Sequence, residues 1–71
     1  MEKKFYSVNV LGPHGYSFAV LTSETSEEAI IHGCISHDIF QDTEDAEYAN
    51  IEDISDDFTA RQHLAECTYE I

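Results

Sequence analysis

The chain has 71 residues, and its 15 Asp and Glu against 3 Lys and Arg give a formal net charge of −12. A chain of this length forms one small domain, spanning 1–71, that buries roughly 60% of its unfolded surface, which excludes a second domain. Hydrophobic content of 42% with four Phe and four Tyr excludes a disordered acidic tail, and three basic side chains exclude direct binding of nucleic acid, which needs several phosphates neutralised.

Residues 5–11, FYSVNVL, place Tyr6, Val8 and Val10 on one side, and residues 16–22, YSFAVLT, do the same for Tyr16, Phe18 and Val20. Both read as strands. GPHG between them supplies Pro13 for a fixed φ and Gly15 for a left-handed position, so the pair forms a hairpin. Thr25-Ser26-Glu27-Glu28 fits a capping box with Thr25 as N-cap. A helix over 26–37 follows, with Ala29, Ile30, Gly33, Cys34 and His37 on one stripe and Ile31 and Ile35 widening it. Gly33 on the core-facing stripe suits close packing against the sheet. Ile39 to Ala46 reads as a loop anchored by Ile39 and Phe40, and YANIEDI at 48–54 as a third strand. Asp56 or Ser55 is placed to cap a short helix within 57–65, and ECTYEI alternates Cys67, Tyr69 and Ile71 against Glu66, Thr68 and Glu70 as a closing strand. The expectation is an α+β domain: a small two-layer ββαβ(α)β arrangement, with an antiparallel sheet and the main helix packed on one face.

No apolar run approaches the ~18 residues of a membrane span, and MEKKFYSVNV has no secretory hydrophobic region. Two cysteines without an export signal read as reduced thiols, so a cytoplasmic location is expected and no membrane partner.

The charge has a pattern. Between Phe5 and Ala60 there are twelve acids and no Lys or Arg, and eight of the acids fall within the seventeen residues QDTEDAEYANIEDISDD, 41–57. A calcium loop of EF-hand type is out of phase with Asp42-Thr43-Glu44-Asp45-Ala46-Glu47, and no Gly follows Gly33. A glycosidase-like carboxylate pair needs an enclosed site with one raised pKa, and nothing singles out two of these acids. His32, Cys34, His63 and Cys67 can be assembled on paper into a zinc site, but His-x-Cys is an atypical spacing, and core or surface roles suit these residues better. No phosphate-binding glycine loop or nucleophile elbow occurs. The expected protein is therefore not an enzyme and carries no cofactor or metal.

What remains is a presented negative surface. Its candidate partner-binding residues are Asp42, Glu44, Asp45, Glu47, Glu52, Asp53, Asp56 and Asp57, with Tyr48 as an aromatic anchor and Phe58 as a second. A solvated acidic face on an accessory domain, monomeric or paired through a strand edge, is the alternative.

Two resemblances bear on this surface. Ser26-Glu27-Glu28-Ala29 and Asp38-Ile39-Phe40-Gln41-Asp42-Thr43-Glu44-Asp45 resemble the DpnD/PcfM-like family of small mobile-element proteins, with Ala46 standing where that family has a larger hydrophobic residue. This implies a phage or plasmid setting and a ββαβ core, but no site residues. By size and charge the chain is also similar to small acidic anti-CRISPR and anti-restriction proteins that act as DNA mimics. That likeness implies a basic partner surface, on a defence nuclease or CRISPR effector complex.

Overall fold

The computed structural model describes residues 2–12 and 15–71. Two seven-residue strands, β1 (Lys4–Val10) and β2 (Tyr16–Thr22), pair antiparallel from Lys4↔Thr22 to Val10↔Tyr16. Gly15 closes the turn with φ of +50° and an N–H donated to the Gly12 carbonyl; the Pro13 contribution expected for this turn lies outside the described residues. Helix α1 spans Glu27–Ser36, strand β3 Ala49–Asp53, helix α2 Phe58–His63 and strand β4 Thr68–Glu70, with 3-10 turns at Thr43–Tyr48 and Ala65–Cys67.

The sheet order is β3-β1-β2-β4. β1 is antiparallel to both β2 and β3, while β4 runs parallel to β2. The sheet is therefore mixed, which corrects the antiparallel expectation. β2, β3 and β4 all point one way, and β1 alone opposes them. Two crossovers then join parallel strands, β2 to β3 through α1 and β3 to β4 through α2. They travel in opposite directions across the sheet. Such crossovers share one hand only if their helices lie on opposite faces, and they do. α1 packs on the face of Tyr6, Val8, Val10, Phe18 and Val20 through Ile30 and Cys34, with Phe40 completing that core. α2 and the turn after it line the opposite face beside Ser7, Asn9 and Ser17. The second helix adds a partial third layer to the two that were expected.

Each element ends for a local reason. Ser26, not Thr25, caps α1: its hydroxyl accepts from the Ala29 N–H at 3.2 Å. At the other end His37 is the C-cap and Asp38 turns left-handed at φ of +56°. Asp38 N–H donates to Ile35 and Ile39 N–H to Cys34, which is the pair of bonds that closes a Schellman motif. Ile39 and Phe40 are thereby swung back onto the core, as their sequence position suggested. α2 is capped by Asp57, one residue beyond the expected Asp56 or Ser55. Cys67 sits in a 3-10 turn rather than in the closing strand, but Tyr69 and Ile71 keep their side of the alternation. Tyr69 meets the Phe18 ring edge-on at 5.6 Å, and Ile71 packs on the main core. A Cβ at Gly33 would lie 2.8 Å from the Ile71 Cδ1, so the close approach expected of this glycine is made to the last residue of the chain.

Candidate acidic interface

The run 38–48 is held to the fold from inside. Asp45 is 2% exposed, and its Oδ2 accepts a 2.7 Å bond from the Tyr16 hydroxyl. The same hydroxyl accepts from the Gln41 N–H at 3.1 Å. Burial, first, and then the bond to Asp45 raise the Tyr16 pKa, which keeps the phenol a donor. Asp42 caps the 3-10 turn by accepting from the Glu44 N–H. What sequence pattern left as a loop is thus an ordered turn, with Asp42, Glu44 and Glu47 exposed around it. Asp45 is a structural correction to the candidate set, since its carboxylate faces the protein and is not presented.

Tyr48 is half-exposed and lies across Gly12, where a Cβ would meet its ring at 3.0 Å. Its carbonyl accepts from the Leu11 N–H, which starts β3 on the outer edge of the sheet. β3 carries Glu52 and Asp53 at the far end of that edge, Asp53 about 13 Å from Ala49 at 3.3–3.4 Å per residue. Register places Glu52 beside Ser7 and Asp53 beside Tyr6, so their side chains leave from opposite faces. The negative ridge is therefore two-sided along the strand. Asp53 accepts from the Ser55 N–H at 2.9 Å; this bond, and then the charge of Lys4, hold its carboxyl below the ordinary 3.8. Asp56 and Asp57 are exposed beyond the strand, with Asp57 spending one oxygen on the α2 cap.

The cations occupy one corner. Lys3 bonds Glu70 at 2.8 Å, the one salt bridge among the described residues, and lowers its pKa. Lys4 acts on Asp53. Arg61 stacks 4.2 Å over the Phe5 ring and donates to the Ser55 carbonyl. The hairpin end, the 38–48 segment and α1, which carries Glu27 and Glu28, have no Lys or Arg at all.

The four residues of the paper zinc site do not meet. Cys34 is buried in the α1 core and its thiol is pushed up to about 11 by burial, while His63 and Cys67 line the far side of the sheet. No group of three metal-ligating side chains forms among the described residues.

The far side also holds a feature that sequence reasoning missed. Because α2 has only six residues, part of that sheet face stays open as a cleft of about 490 Å³. Ser7, Asn9 and Ser17 line its sheet side, and the Ser17 hydroxyl donates to Asn9 Oδ1 at 2.7 Å. The pattern that pointed to it was the polar phase of both hairpin strands, opposite the apolar phase that located the core.

Comparison with protein-family models, curated proteins and solved structures gives no significant match. No helix among the described residues is long and apolar enough to cross a membrane.

Proposed function

We propose that this domain is a non-enzymatic interaction module whose acidic surface occupies the nucleic-acid-binding surface of a basic protein partner. The observation that carries the reading is the segregation of charge. All three Lys and Arg sit at the start of β1 and on α2, and most of the acids are left unneutralised over the rest of the molecule. Along its 29 Å longest axis a duplex would present about 17 phosphates, so a net charge of −12 comes within a factor of about 1.4 of that density. Solubility alone asks for a magnitude of about 2–8.

The acids are also fixed in place. Tyr16 and Asp45 pin the turn, β3 fixes the edge, and backbone caps orient Asp42, Asp53 and Asp57. Preorganised charge loses less conformational freedom on binding than a tail does. With the resemblance to mobile-element proteins and to DNA-mimic inhibitors, the reading specifies a cytoplasmic inhibitor of a bacterial defence nuclease or CRISPR effector complex. It requires no cofactor and no direct contact with nucleic acid.

The test is capture of DNA-binding proteins from a bacterial lysate on the immobilised domain at low salt. Elution of the same proteins by duplex DNA, and by about 0.5 M salt, where the screening length falls to roughly 4 Å, is the expected result. Retention that neither DNA nor salt reverses contradicts the reading.

A further inference from the structure

We propose that the outer edge of β3 takes up an extended segment of the partner as an added strand, and that this segment carries a basic pair. The proposal rests on the reading of the domain as a binder of basic surfaces, and it names the backbone that would hold the partner. β3 is an end strand of the sheet, and two bonds fix its phase. The Leu11 N–H donates to the Tyr48 carbonyl and the Ile54 N–H to the Phe5 carbonyl, so positions 48 and 54 face β1. Alternation along an antiparallel ladder turns Asn50 and Glu52 the same way and aims the backbone groups of Ala49, Ile51 and Asp53 outward. The Ala49 N–H is used on the Ala46 carbonyl. The N–H groups of Ile51 and Asp53, and the carbonyls of all three, have no backbone partner among the described residues. They form the template that strand addition uses.

Proline, lysine and a bulge, three devices that keep sheet edges from pairing, are absent from Ala49–Asp53. Charge is the device present, and it selects the occupant. A second copy pairing antiparallel about Ile51 would set the two Glu52 residues about 8 Å apart, from the spacings within and between strands. That is inside the screening length of about 10 Å at 0.1 M salt, and each body carries a net charge of −12. A basic strand reverses the sign of this term. Neither Glu52 nor Asp53 has a salt bridge among the described residues; Lys4 acts on Asp53 from outside ion-pair distance.

Register then sets the chemistry of the segment. In antiparallel addition one residue meets Ile51, and the two before it meet Glu52 and Asp53. Those two carboxylates leave from opposite faces, so adjacent basic residues, which also point to opposite faces, match both. The residue against half-buried Ile51 is apolar.

The experiment is a titration of the whole domain at low salt with acetyl-Arg-Lys-Val-Thr-Val-amide, read by amide hydrogen exchange in NMR. At about ten times the Kd, exchange of the Ile51 and Asp53 amides should slow about tenfold, while the first-turn amides of Glu27 and Glu28 in α1 keep their rates. N-methylation of the peptide's first valine removes the N–H that would meet the Ile51 carbonyl and leaves the charge; it should weaken binding at least about tenfold. A peptide with two glutamates in place of the basic pair should give no slowing. Glu52→Gln, an exposed change, should weaken the parent peptide about threefold. Three results would each overturn the assignment: no slowing at Ile51 and Asp53, equal binding of the N-methylated peptide, or slowing that grows with domain concentration without peptide, the mark of a second copy. Lysate capture without peptide protection would overturn the edge alone, and protection without capture would support the edge while contradicting the wider reading.

Discussion

Asp45 shows how one residue changes role once its neighbours are known. It lies within a run of exposed carboxylates but is turned inward onto Tyr16. Tyr16→Phe keeps the ring and removes the one hydroxyl that serves both Asp45 and the Gln41 N–H. A buried carboxylate deprived of its donor costs about 2 kcal/mol, and urea denaturation should show a loss of that size; a change within about 0.5 kcal/mol, the range of an ordinary surface substitution, would mean the pair does not hold the turn. Asp53 and Glu70 make a prediction about acid. Both have folded-state pKa values below their ordinary 3.8 and 4.5. Their contribution is complete above those values and is lost as pH falls through the depressed ones. Replacing them together, Asp53→Asn with Glu70→Gln, should flatten the acid limb of stability against pH below about 4.5 and leave its shape near neutrality unchanged.

Among the elements, α1 has an end that invites a substitution. Asp38 adopts φ of +56° at the C′ position of the Schellman motif, where glycine has no Cβ penalty. It also sets a negative charge against the negative end of the helix. Asp38→Gly should therefore raise stability by about 1 kcal/mol, read from the denaturation midpoint; a loss would show that the carboxylate has a contact outweighing both effects. The helix and hairpin were legible in the sequence because periods of two and 3.6 are written in Tyr6, Val8, Val10, Phe18, Ile30 and Cys34. Their boundaries shifted by a residue where adjacent side chains share a capping chemistry, as Thr25 and Ser26 do. The direction of β4 was not legible, because Tyr69 and Ile71 alternate identically in parallel and antiparallel pairing. Asp45 could not be told from the acids around it, since the partner that buries it is 29 residues away. The cleft escaped notice because it arises where a six-residue helix stops short of covering the sheet, which depends on packing rather than on period.

At the scale of the whole molecule, charge sets two opposite responses to salt. A net charge of −12 on a body with a radius of gyration of 11.1 Å repels itself, which opposes compaction. Screening relieves that repulsion, so the melting temperature of the isolated domain should rise as salt goes from about 0.02 to 0.5 M; a flat or falling curve would mean the acids are balanced within the fold. Binding to a basic partner should move the other way, since screening weakens attraction between the two surfaces. On the proposed reading the same carboxylates would disfavour the isolated folded domain and favour its complex with a basic partner. The most direct measurement is the affinity for the partner recovered by DNA elution, taken across a salt series for the native domain and for a variant with Asp42, Glu44, Glu47, Glu52 and Asp53 replaced by their amides. The native domain should lose affinity steeply with salt, and the variant should bind more weakly with a shallower dependence. An affinity indifferent to salt, or a variant that binds as the native domain does, would contradict the account.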